Sequence, residues 1–319
     1  MKTIRILGTM IAALAIALGT AHAQDYPTQT IKLIVPFTPG GPVDALGRVV
    51  TQYLQKRIGQ NIIIENRSGG GTSIGAKAVA SAPPDGYTLL LVGPNLAYYP
   101  VLFPNLDFDP AKGLVPVATV VTWSHVFAVA PSVPAKSVPE LVAYAKANPG
   151  KVNMASGGIG TSPHLCGELF QIQTQTKMVH VPYRGNYMTD LLANQVQVVF
   201  NPIAQALPLI RDGKLRAYGV TTAYRIKALP DVPAIGEVVK GYDAIGWYGL
   251  GAPSKTPPEI IKKLSEAMNA AIAVPAVMER FVQLGVEPMP LTPEGFKKHI
   301  AVEAEKWGKV IKAQDIKIN

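Results

Sequence analysis

Short apolar runs alternate with stretches of helical spacing along the whole of this chain, and that alternation limits its folds more than any other feature. "TIKLIVPF" (30–37) reads as a strand. Residues 43–58 then place Leu46, Val49, Val50, Tyr53, Leu54 and Ile58 on one face of a helix. "NIIIEN" (61–66) is a second strand; "RSGGGTSIG" opens the helix "AKAVASA", which Pro83-Pro84-Asp85-Gly86 ends with a turn. "YTLLLVG" is a third strand. Strands alternating with helices predict an α/β fold with a largely parallel sheet covered on both faces.

The pattern then restarts. "HVFAVAP" (125–131), "KVNMAS", "MVHVPY", "VQVVFN" and "LRAYGVTT" read as strands between helices that include "ELVAYAKAN", "LCGELFQIQTQ" and "ALPLIRDG". After "WYGLGAP" (247–253) the spacing predicts helices over 259–273, near 275–284 and over 293–313, with a short strand-like "VEPMP" before the last. Helices that continue after the second sheet is complete predict an insertion. Residues 24–124 plus 248–319 form the first domain and 125–247 the second, with crossings near Trp123–Val126 and Gly246–Tyr248. Clefts between two such domains are favoured ligand sites.

The chain opens with Lys2 and Arg5, an apolar run from Ile6 to Leu18, and Ala21-His22-Ala23. That is the layout of a Sec-type signal peptide cleaved after Ala23, and it directs the protein to the periplasm. The 319 residues carry a net charge of +9, but the lysines and arginines are scattered, with no basic run interleaved with aromatics. This argues against nucleic acid and for a positive field that attracts small anions. The single cysteine, Cys166, allows no internal disulfide, and the five histidines show no metal-binding spacing. No metal or other cofactor is expected, and Cys166, in a helix beside Leu165 and Leu169, reads as a buried, inert thiol.

Two glycine-rich corners carry the chemistry. In "FTPGGPVD" (37–44) a strand ends and a helix begins, on the side where open α/β sheets bind ligands. Glycine lets a ligand approach the main chain, and first-turn N–H groups with the positive end of the helix dipole suit an anion. A structural turn explains the same residues. "ASGGIGTSPH" (155–164) repeats the design in the second domain and adds the hydroxyls of Thr161 and Ser162 as donors. Paired across a cleft, the corners would grip a molecule negative at both ends.

The stretches "YPTQTIKLIVPFTPGGPVDALGR", "GYTLLL", "SVPAKSVPELVAYAKANPGKVNMASGGIGTSPHLCGELF", "VHVPYRG", "GKLRAYGVTT", "LPDVPAIGEV" and "WYGLGAP", in that order, resemble the periplasmic solute-binding proteins of the tripartite tricarboxylate transporter family. The resemblance covers essentially the whole mature chain. It implies a two-domain, type II periplasmic binding protein fold, capture of a di- or tricarboxylate without catalysis, and delivery to membrane transporter subunits by a monomeric receptor. It also implies ligand contacts from loops like Phe37–Gly41 and Gly157–Ser162. The candidate binding residues are therefore Phe37, Thr38, Gly40, Gly41, Asn95, Ser156, Gly160, Thr161, Ser162, Arg184 and Asn201. For Phe37 core packing, for Arg184 a surface position and for Asn95 a turn stand as alternatives; Trp247 reads as hinge packing and Asp44 with Arg48 as a local helix pair. Asn201 stands where relatives commonly have aspartate, which tilts the ligand away from amino acids. Asn186-Tyr187-Met188 replaces smaller residues, and Tyr98 and Tyr99 add bulk; an aromatic carboxylate stays open.

Other readings compete. Gly71-Thr72-Ser73-Ile74-Gly75 fits a G-x-S-x-G elbow, so a secreted serine hydrolase using Ser73 is the alternative enzyme. Arg67 to Gly70 separate that serine from its strand, which argues against it. "GGIGTS" lacks the spacing and the lysine of nucleotide loops, and Ser162 with His164 or Ser124 with His125 have no acid to orient the histidine. A loaded receptor also suits docking to a sensor kinase ectodomain.

Overall fold

The computed structural model describes residues 26–103, 108–183 and 187–317. The expected signal peptide and cleavage point lie outside the described residues, as do Arg184 and Asn186.

Strands β1 (Ile31–Val35), β2 (Ile62–Asn66) and β3 (Thr88–Val92) pair in parallel in the order 2-1-3. One strand further along the sheet runs β4 (Leu114–Val129), a 16-residue strand that serves both halves of the molecule. β5 (Asn153–Ser156), β6 (Val179–Pro182), β7 (Val198–Pro202) and β8 (Arg216–Val220) belong to the second half; β9 (Ile245–Pro253) and β10 (Val286–Pro288) return to the first. The hydrogen-bonded path is β2-β1-β3-β9-β4-β7-β5-β6, with β8 and β10 also on β4. The alternation foreseen from sequence is present, and the α/β class with it, but the joining strands β4 and β9 are antiparallel to each other.

β4 is longer than the strand expected at 125–131. Nearly all of it is buried, so the period-two contrast that marks a half-exposed strand is absent. It pairs with β9 as far as Ser124 and with β7 from His125 onward. The return passage is at Ala244–Ile245, where the Ala244 N–H donates to the Thr221 carbonyl at 2.8 Å. A helix over Asn95–Leu102 was also not anticipated; five of its eight residues are buried and it shows no polar face. Its Asn95 side chain donates to the Gly71 carbonyl at 2.9 Å, and the Tyr98 hydroxyl donates to Asn95 Oδ1 at 3.1 Å. Asn95 therefore braces the glycine run rather than offering a free amide.

The buried residues form two clusters, one within the first half and one that runs from it into the second. Ile31, Leu33, Leu89, Leu91, Leu250 and Met268 meet in the first. In the second, Phe127 stacks on Phe200 with centroids 4.4 Å apart, and Phe170 packs 4.9 Å from Phe127. The C-terminal helix Pro293–Ala313 touches both β4 and the helix Ser162–Thr174, bridging the halves. Trp247, fully buried beside the return passage, packs edge-on against Phe296 (5.2 Å) and His299 (5.4 Å).

The first glycine corner joins β1 to the helix Pro42–Ile58. Gly40 has φ +77°, a conformation that a side chain would strain. Asp44, 2% exposed, holds the corner shut. Its carboxylate accepts the Arg48 guanidinium N–H (2.8 Å), the Asn66 amide (3.0 Å) and the Gly40 N–H (3.0 Å). Asn66 also donates to the Phe37 carbonyl at 3.1 Å. The Asp44–Arg48 pair expected from spacing is thus one arm of a larger bracket. The Arg48 contact, with Asn66 and the Gly40 amide behind it, outweighs burial and holds the Asp44 carboxyl down to about 2.

A carboxyl whose folded pKa is depressed stabilises fully above its unfolded value and loses that stabilisation as pH falls through the folded one. For Asp44 the window runs from the ordinary 3.8 down to about 2. Asp44→Asn is expected to cost about 1–3 kcal/mol at neutral pH, the range for disturbing a buried, charge-assisted network. Chemical denaturation at a series of pH values checks this: the gap between wild type and Asp44→Asn should close toward pH 2, and a gap independent of pH would refute the bracket.

Candidate functional site

The two glycine corners face one cleft between the halves. A cavity of about 300 Å³ is lined by Phe37, Pro42, Val43 and Tyr248 from the first half and by Ser162 and Ile203 from the second, among others. An adjoining cavity of about 570 Å³ is lined by Gly157, Thr161, Pro163, Tyr187 and Met188. Pro202 and Gln205 line both, so the cavities adjoin. Phe37 meets Tyr248 edge-on at 5.9 Å, and Tyr248 stacks on Trp123 at 4.3 Å, giving the cleft an aromatic wall. No lysine, arginine, aspartate or glutamate among the described residues lines either cavity.

What the cleft offers instead is main chain. Two helices begin at the glycine corners, Pro42–Ile58 and Ser162–Thr174, each with proline in its first turn. A third helix, Ile203–Arg211, also begins at the cleft, and its opening residues Ile203, Ala204 and Gln205 line the cavity. The first-turn amides of a helix have no intrahelical acceptor, and the dipole makes that end positive. Three such ends around one apolar-walled space are an arrangement suited to anionic groups. The third was missed because its start reads as a continuation of strand "VQVVFN"; Pro202 before it was the available signal.

Side chains under the second corner hold it in shape. Ser156, fully buried, accepts the Gly158 N–H at 3.1 Å and meets His180 Nε2 at 2.7 Å. The Gly160 N–H donates to His164 Nδ1 at 3.1 Å, which leaves Nε2–H facing Glu168 at 3.3 Å. The rings of His164 and His180 stack with centroids 3.6 Å apart. Burial, then the neighbouring His164, pushes His180 down to about 3, so it stays neutral near neutral pH. Thr161 Oγ1 donates to the Gly158 carbonyl at 2.7 Å. Ser162 Oγ lies 3.0 Å from Nε2 of His125, a partner distant in sequence rather than the adjacent His164.

The structure sorts the sequence candidates. Phe37 and Ser162 share the central cavity and Thr161 lines its extension. Thr38 and Gly40 are exposed and Gly41 half-buried, at the rim of the same corner. Ser156 and Gly160 are buried behind the second loop, and the Gly160 amide is already taken. Asn95 is committed to Gly71 and Tyr98. Asn201 is fully buried and accepts the Tyr187 hydroxyl, while its Nδ2 has no protein partner among the described residues. Arg184 lies outside the described residues. The Thr161 hydroxyl, expected to donate to a ligand, instead donates to its own loop. Cleft residues that sequence reasoning passed over include Val43, Pro202, Gln205, Leu284 and Val286, which carry no motif of their own.

Comparison with known proteins places this geometry. The family model "Tripartite tricarboxylate transporter family receptor" matches residues 46–316. Protein BugT of Bordetella pertussis is 35% identical over 324 residues, covering 99% of this chain and 98% of that one. The structure of R. palustris Rpa4515 with adipate superposes with a TM-score of 0.81 at 32% identity, covering 92% of this chain and 100% of the other. MatC of Rhodopseudomonas palustris with bound malate gives 0.76 at 31% identity, covering 90% and 100%. The matches span nearly the full length of both partners, and the chain belongs to the receptors of the tripartite tricarboxylate transporter family.

Proposed function

We propose that this protein is an exported receptor that captures a small di- or tricarboxylate between its two halves and hands it to membrane transporter subunits. The observation that carries the reading is the convergence of three helix N-termini on one cleft that has aromatic walls and no charged lining among the described residues. Charge-assisted bonds from fixed amides hold carboxylates without a side-chain cation. Adipate and malate, bound in the two structural relatives, have the size and the paired charges that this arrangement suits. The halves, residues 24–124 with 248–319 and residues 125–247, act as lobes, and the leader ending at Ala23 is removed on export.

Binding without catalysis fits the placement of the reactive groups. Ser73 opens the helix Ser73–Ala80 after a turn of 3-10 helix, not a strand-end elbow. The Cys166 thiol is buried, and desolvation pushes its pKa up, away from the reactive thiolate. A sensor ectodomain as a second partner would read the same closed shape as the transporter.

A thermal-shift screen over C3–C8 dicarboxylates, citrate, aromatic acids and acidic amino acids tests the ligand class. A ligand at about 100 times its Kd adds about 2.7 kcal/mol of stability; no shift with any carboxylate would reject the reading. Gly157→Asp tests the second loop. A Cβ at Gly157 meets nothing within 4 Å, whereas Gly160 has φ +75° and would be strained. The new carboxylate is expected to weaken binding more than about tenfold while the Tm of the free protein stays unchanged; unaltered affinity would remove that loop from the site.

A further inference from the structure

The central cavity offers more apolar surface than a short aliphatic diacid can use. Of its described lining, only Ser162 and Gln205 are wholly polar side chains. Leu46, Ile203 and Leu284 supply aliphatic wall, and Phe37, Tyr248 and Trp123 form a row of rings, the first two edge-on and the last two stacked. The row is built into the sheet. Trp123 of β4 stands opposite Gly246 of β9, and a Cβ on Gly246 would collide with the indole, so the bare residue lets the ring lie against the strand. Gly93, directly after β3, does the same for Tyr248: a Cβ there would stand 3.0 Å from the ring carbon Cε1. Trp123 is buried and Phe37 and Tyr248 are half-buried, so packing holds the rings in place before a ligand arrives.

Aromatic pairs gain from edge-to-face and offset-stacked contact beyond what buried area supplies. An aliphatic chain gains from area alone. A ring also holds its carboxylates at a fixed separation, so it loses no chain torsions on binding between amides that are themselves fixed. Resting on the reading of the protein as a carboxylate receptor, we propose that the cleft selects aromatic dicarboxylates. The ligand ring lies against Phe37, Tyr248 and Trp123, and its carboxylates reach the helix starts at Pro42, Ser162 and Ile203. Phe37 and Trp123 are then specificity-determining residues. An organic cation is also drawn to ring faces, but three positive helix ends around the same space oppose it.

Calorimetric titration of the full chain tests this by pairing each benzene dicarboxylate with the cyclohexane dicarboxylate of the same substitution pattern, beside open-chain C4–C8 diacids. The paired acids carry equal charge at similar spacing, so their ratio isolates the aromatic contact. Wild type should prefer the aromatic member by roughly two- to tenfold at the best substitution pattern. It should also bind that acid more tightly than any open-chain diacid. Trp123→Leu keeps an apolar side chain but removes the ring; it should bring the ratio close to one while the saturated acid loses less affinity than the aromatic one. If that variant does not fold, Phe37→Leu, at a half-buried position, should lower the ratio in the same way and decides alone. A wild-type preference for the saturated or open-chain acids, or a ratio unmoved by the substitution, would overturn the proposal. Failure of every acid to bind would instead overturn the carboxylate reading itself.

Discussion

A backbone N–H in the first turn of a helix has no carbonyl above it, and it must find an acceptor elsewhere or face water. The cleft of this protein is organised around that requirement. Helices starting at Pro42, Ser162 and Ile203 turn such amides toward one space, and their dipoles add in the same sense. Most of the surrounding polar side chains serve to fix the loops that carry the amides. Asp44 and Asn66 bracket the first corner; Ser156, His164 and His180 underpin the second. Each brace satisfies a donor or acceptor inside its own loop, so the groups left over are the ones that point outward.

Desolvation then sets the protonation states that the site needs. His125 and His180 are held neutral by burial, and the Cys166 thiol is held protonated by it. A cluster of imidazoles next to an anion site would invite the reading of a cationic pocket. His180, stacked on His164, and His125, paired with Ser162, are instead neutral rings used as hydrogen-bond fixtures. On the proposed reading, recognition comes from dipoles of fixed orientation, with aromatic surface from Phe37, Tyr248 and Trp123 for the carbon skeleton.

Much of this was legible in the residues because its physics is local. The strand–helix alternation, the two glycine corners and their proline-led helices are short-range patterns, and the helices at 259–273 and 293–313 appear within a residue or so of where spacing put them. Phe37 and Ser162 were found because they belong to those corners. What escaped depends on distance in sequence. The length of β4 was hidden because burial on both faces erases its alternation. The partner of Ser162 is 37 residues away, so nothing in the neighbouring residues could point to it. Gln205, Leu284 and Val286 line the cleft only because the sheet folds their ends together.

The passage between the halves is not a pair of loose linkers. β4 runs unbroken through it and is flanked on both sides along the crossing, by β9 and β10 before His125 and by β7 and β8 after it. Such a joint deforms by winding, with the strain shared along many ladder bonds, and so behaves as a torsion spring rather than a free pivot. For a receptor of the proposed kind that means small excursions, recoil once the load departs, and little slack for a guest of the wrong length.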